Sequence, residues 1–223
     1  MTVGTVLLVI LAIAIYFGLT ERVLDRMRLS DRAALAFVAA MLLGGLIDIP
    51  IAARPVEVSI NVGGGLVPLV LVGYLLYSAD TGAERIRAIV AAVVAAGAVY
   101  GLAKLLPAEP GRLLFDPTYL FAGAAGLVAY LFGRSRRAAF IAGLLSIILA
   151  DVIQLTELIM GGIPGRTDIG GAGIFDSVIL SGVLAVAFAE ILGETRERLQ
   201  GGHKPRSASQ ESTHRSERGD GDE

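Results

Sequence analysis

Apolar residues in this chain run on for fifteen to twenty positions at a time, broken by short clusters of charge. Neither the 3.6-residue stripe of a surface helix nor the two-residue alternation of a half-buried strand dominates. Seven segments of this kind are predicted as helices: Val3–Leu19, Ala33–Ala52, Val58–Ala79, Ala88–Leu106, Tyr119–Gly133, Ala138–Met160 and Gly171–Leu192. Their lengths approach the roughly 20 residues an α-helix needs to cross a hydrocarbon core. The third is interrupted by Gly63-Gly64-Gly65 and Pro68, and the fifth is short, with Asp116-Pro117 reading as an N-cap and first-turn pair that opens it. The expected architecture is therefore all-α, a polytopic membrane protein of about seven transmembrane helices over residues 1–195. From Gln200 onward the residues are almost all polar, so residues 196–223 are expected to form a disordered cytoplasmic tail that cannot bury enough surface to offset its ordering entropy.

Composition strengthens that picture. Of 223 residues, 54% are hydrophobic and 18% charged, against about 45–50% and a quarter in ordinary soluble domains. Mean hydropathy is +0.69. A soluble globular enzyme is excluded on this basis. The chain has no cysteine, which removes disulfides, thiolate metal sites and cysteine nucleophiles. Both histidines, His203 and His214, lie in the tail, so histidine-based zinc, haem or serine–histidine chemistry within the membrane is not expected. No metal, cofactor or catalytic residue is assigned. A net charge of −2 and a tail of mixed sign give no reason to expect a nucleic-acid partner.

Charge also sets direction. Arg22, Arg26, Arg28, Arg32, Arg85, Arg87, Arg134, Arg136 and Arg137 fall in alternate loops, with Arg196, Arg198, Lys204, Arg206, Arg215 and Arg218 in the tail on the same side. The opposite side holds only Arg54, Lys104, Arg112 and Arg166. The positive-inside rule then places the N-terminus outside and the C-terminus in the cytoplasm of a cell (plasma or inner) membrane. Tyr16, Tyr77, Tyr100, Tyr119 and Tyr130 sit at predicted span ends, where amphipathic rings prefer to lie. The first span has no basic residue ahead of it and reads as a retained helix rather than a signal peptide. Leu19–Arg32, with Val23, Leu24 and Met27 among its charges, reads equally as a juxtamembrane helix or a solvated loop.

Polar groups inside apolar spans are the candidate chemistry, because hydrocarbon penalises idle charge. Asp48, Asn61, Asp151, Gln154 and Asp176 are the candidate ion- or solute-binding residues, with Glu157, Gly173 and Ser177 behind them. At 1.5 Å per residue, Asp151 falls near the midplane and Asp176 about 8 Å from the outer end of its span. Asp151 and Gln154 are three apart and share a helix face, as do Gly173 and Asp176. The bland alternatives are hydration of Asp48 at a helix end and interhelical hydrogen bonds for Asn61 and Gln154.

The halves of the chain invite alignment. Ala36 to Asp48 has the spacing of Ala139 to Asp151, and Asn61-Val62-Gly63-Gly64 lines up with Asp168-Ile169-Gly170-Gly171. Three helices, a connector and three more would give a parallel repeat of the kind transporters use.

Two segments, Ile60-Asn61-Val62-Gly63-Gly64-Gly65-Leu66-Val67-Pro68 and Gly170-Gly171-Ala172-Gly173-Ile174-Phe175-Asp176, resemble the signature stretches of a prokaryotic membrane family, domain of unknown function 1614. That resemblance covers most of the chain up to the tail and implies a multi-pass protein, with no activity or site residue to carry over. A partial similarity to intramembrane aspartyl proteases rests on Asp151 and Asp176 in consecutive spans with Gly171-Ala172-Gly173 before the second. Ile174 and Phe175 separate the glycine from the acid, so the Gly-x-Gly-Asp motif is not met.

Three functions follow as expectations. Foremost is transport or binding of a proton, cation or small polar solute at a carboxylate-lined site in the outer half of the bilayer. A non-catalytic membrane scaffold would use the acids only to hold helices together. An intramembrane protease would pair Asp151 and Asp176, one as base and one as acid. The lipid bilayer is the one partner the sequence demands, and a homo-oligomer stays open.

Overall fold

A computed structural model describes residues 3–18, 20–106, 117–171 and 174–199. The fold is mainly helical: α1 (Val3–Tyr16), α2 (Glu21–Met27), α3 (Asp31–Gly44), α4 (Val67–Tyr77), α5 (Gly82–Leu105), α6 (Pro117–Gly133), α7 (Arg136–Gly161) and α8 (Ile174–Leu199). Met1–Glu190 forms one compact unit and Ile191–Glu223 a second. The tail expected to be disordered and the Asp116 cap lie outside the described residues.

Helix starts follow the local chemistry. Ser30, Thr81 and Ser135 each turn a side-chain oxygen onto the backbone N–H three residues on, at 3.3, 3.2 and 3.0 Å, opening α3, α5 and α7. The segment left open between helix and loop is the helix α2, which buries Leu24 and Met27 and exposes Glu21 and Asp25. Two helices, α5 and α7, are long and apolar enough to cross a membrane. Shorter apolar helical stretches run over Thr5–Tyr16, Val62–Tyr77, Pro117–Gly133 and Ser177–Leu192.

The tightest packing joins α5, α6, α7 and α8 through small residues. Ala91, Ala92 and Ala95 of α5, Ala129 of α6, Ala139 and Ala142 of α7 and Ala185 of α8 form one buried cluster. Ser181 of α8 donates to the Gly143 carbonyl of α7 at 2.7 Å. Small side chains let backbones approach closely enough for dispersion and such bonds to hold helices together. At the N-terminal end of α7 the arginines are not simply solvated. Arg137 is buried, donates to the Ser78 carbonyl at 3.1 Å and lies 3.5 Å from Glu84 and 3.6 Å from Asp80. Asp80 also pairs with Arg28 at 2.5 Å, and Arg136 with Glu190.

The all-helical expectation fails at three places. Asp48–Ala52 is strand β1, Val56–Asn61 is β2 and Gly165–Ile169 is β3, forming a sheet in the order β1-β2-β3. The spans drawn as Ala33–Ala52 and Val58–Ala79 thus each contain a strand. Pro50 cannot continue a helix, and Val56, Val58 and Ile60 alternate with Glu57 and Ser59 at the two-residue period of a sheet. Average hydropathy over those windows hides the alternation. β1 runs antiparallel to β2, with Asp48 opposite Asn61, and β2 runs parallel to β3, with Ser59 opposite Asp168 and Ile60 opposite Ile169. Both parallel strands leave through glycines toward a helix: β2 through a π-helical turn over Val62–Leu66 into α4, and β3 through Gly170-Gly171 toward α8. The aligned glycine segments are therefore neighbours. Asp48 and Asp151 are not equivalent, since one is on a strand and the other inside α7.

Candidate functional site

The ends of β2 and β3 meet α3 at a backbone crossing that only glycine permits. A Cβ on Gly63 would overlap the Met41 carbonyl and the Gly45 amide at the end of α3. Gly170 has φ +67° and, besides that left-handed conformation, would drive a Cβ into the backbone of Gly64 and Gly65. Three segments distant in sequence are thereby brought into main-chain contact.

Asn61 ties the crossing together. Its Oδ1 accepts from the Gly64 N–H at 2.8 Å, capping the π-helical turn, while Nδ2 donates to the Gly45 carbonyl at 3.1 Å and to Asp48 Oδ1 at 2.9 Å. Asn61 is 4% exposed, so these bonds replace the water it gives up. Asp48 is exposed and holds the other end of the last bond. Asp168 faces the same turn. It accepts from Ser59 Oγ at 2.5 Å across the parallel pair and from Arg166 Nε at 2.8 and 2.9 Å. Burial alone would raise the Asp168 carboxyl, but the Ser59 hydroxyl and the Arg166 guanidinium together hold it below the usual carboxylate value. The position of a Cβ on Gly171 is 3.4 Å from Asp48 Oδ1 and 3.4 Å from Asp168 Cβ, so these two acids and Asn61 surround that glycine.

Asp151 approaches from the helical side. It projects from α7, is 7% exposed, and accepts a hydrogen bond from the Gly170 backbone N–H. Its Oδ2 is buried and has no hydrogen-bond partner among the described residues. Thr167 Oγ1 on β3 is buried without a partner among them as well.

The sequence candidates thus divide. Asp48, Asn61 and Asp151 converge on the glycine crossing, from which Gln154 is absent because its side chain is exposed. Glu157 is braced elsewhere, by Lys104 at 2.6 Å and Tyr100 at 2.7 Å from α5. Ser177 is buried on α8. Gly173 and the side chain of Asp176 lie outside the described residues. Sequence reading left Arg166 and Asp168 off the site because they sit in a polar stretch that looks like any solvated loop, and Ser59 because it lies within an apolar run that reads as a helical span. Among the described residues no three acidic or other ligating side chains are grouped closely enough to hold a metal ion.

A family profile described as a protein of unknown function, DUF1614, matches residues 20–188. The chain belongs to the DUF1614 family. Both glycine segments of the crossing, and every described residue around it, fall inside the DUF1614 match. No curated protein and no solved structure matches this DUF1614 chain.

Proposed function

We propose that this DUF1614 protein is a multi-pass protein of a prokaryotic plasma or inner membrane that binds and transports a proton, a small cation or a small polar solute at Asp151. The observation that carries the reading is the buried Asp151 Oδ2, without a hydrogen-bond partner among the described residues, on a helix long enough to cross a bilayer. Such a carboxyl is costly unless a proton or cation completes it. The strand ends and the Gly170 amide cover it on one side, and the basic cluster at the start of α7 favours the cytoplasm for the other. In this arrangement the sheet lies on the outer face, with Asp48 and Asp168 at the entrance.

Carbodiimide modification tests the reading, since these reagents attack protonated carboxyls in apolar surroundings. In proteoliposomes, Asp151 is expected to be modified, with sodium, potassium or a rise in pH protecting it. Asp151→Asn is expected to abolish proton or cation flux while leaving the fold intact. Absence of modification, together with equal flux in wild type and Asp151→Asn, would overturn it. The scaffold reading draws on the alanine cluster and the Lys104–Glu157–Tyr100 brace, which serve only to join helices, and it would then take precedence.

A further inference from the structure

A cavity of about 310 Å³ lies between α1, α2, α3, α4, α7 and α8, and its reading does not rest on the transport proposal. Its walls are almost wholly apolar, and Leu8, Met27, Met41 and Leu144 around it are buried side chains. The cavity is partly open rather than sealed; interiors otherwise pack to crystal density with few gaps larger than a water molecule, so an apolar recess of this size leaves room for an occupant. Water needs two to four polar partners, which the walls offer at one end alone, at Thr20 and Glu190.

The residues lining the cavity extend along α1 and α8, with the polar ones, Thr20 and Glu190, at one end. On α1 it is lined from Leu8 to Ile15, about 10 Å along the axis, and on α8 from Ile179 to Glu190, about 16 Å. Thr20 and Glu190 lie at the end where α1 finishes, where α7 begins and where Arg136 pairs with Glu190. Thr20 Oγ1 is buried and makes no hydrogen bond among the described residues. A slot that is apolar along its length and polar at one tip matches an amphiphile rather than a compact aromatic ligand.

We infer that the cavity formed by α1, α2, α3, α4, α7 and α8 binds one hydrocarbon chain of an amphiphile, with its polar head at Thr20 and the Arg136–Glu190 pair. The chain can come from a phospholipid of the bilayer or from a free fatty acid, and the experiment separates the two. The full protein in lipid nanodiscs is titrated with doxyl-stearic acid and its spin-label spectrum recorded. A saturable immobilised component is expected, reduced at least fivefold by Val38→Phe, which fills the slot, and unchanged by Val70→Phe, which alters an exposed apolar position on α4. Should Val38→Phe fail to fold, displacement of the probe from wild type by unlabelled stearate serves in its place. Mass spectrometry of organic extracts then finds about one phospholipid or one fatty acid per chain, either result supporting the site and naming its source. An immobilised component that is identical in the two variants, not displaced by stearate, or unaccompanied by a retained amphiphile would overturn the proposal.

Discussion

Asn61 carries three hydrogen bonds that join the end of α3, the start of β1 and the turn after β2. Asn61→Ala strands the buried Gly64 N–H, at a cost of about 1–3 kcal/mol, and also removes the bond to the half-buried Gly45 carbonyl. Thermal unfolding of the purified protein is expected to show a clear loss, larger than that of Asp48→Ala, which removes a single bond at an exposed residue. Gly170→Ala is expected to be more severe, because left-handed strain of about 1–3 kcal/mol adds to overlap with the Gly64 and Gly65 backbone. Asp168 gives a pH signature. Its carboxyl titrates lower when folded than when unfolded, so its contribution is complete above the unfolded value near pH 4 and disappears as pH falls through the folded one. The difference in melting temperature between wild type and Asp168→Asn is expected to be present at pH 7 and to shrink below about pH 4. Asn61 and Asp151 were legible in sequence because polar atoms inside apolar runs stand out. Asp168 and Ser59 were not, since only the parallel pairing of two distant strands makes them partners.

At the scale of elements, the long helices were readable from hydropathy and their caps from Ser and Thr at the boundaries. The strands were not, because β1 and β2 are apolar enough to extend the runs on either side and only Pro50 and the two-residue alternation mark the change. Glu157 shows how an element's neighbours decide a residue's meaning. In sequence it is an acid near the end of a span; in the fold it joins α7 to Lys104 and Tyr100 of α5. Lys104→Glu and Glu157→Lys are each expected to lower the melting temperature, and the double exchange to recover most of the loss. At the other end of α7, Ser135 both caps the helix and donates to Glu84 of α5 at 2.9 Å. Ser135→Ala is expected to cost about 1 kcal/mol from the cap, with a further loss from the broken Ser135–Glu84 bond, measured by denaturant unfolding in mild detergent.

For the whole molecule, α5 presents Ile86, Ile89, Val90 and Val93 outward while its other face closes on the alanine cluster, a distribution suited to lipid on one side and protein on the other. The apolar slot and the glycine crossing share Met41 of α3, whose side chain lines the one while its carbonyl closes on Gly63 at the other. Neither cavity nor crossing was visible in the sequence, because both depend on which helices are adjacent and how closely their backbones approach.

Ser59 and Asp168, bonded across β2 and β3, are 109 residues apart in the chain. As the polypeptide emerges, the β1–β2 hairpin is made long before its third strand, and α4, α5, α6 and α7 must all be synthesised in between. Until then β2 offers an open hydrogen-bonding edge and Ser59 has no acid to meet. Closing so long a loop is slow, which makes docking of β3 a late step in maturation. A nascent chain stalled before Gly165 would therefore keep its hairpin open to proteases, and release of the remaining residues would close it.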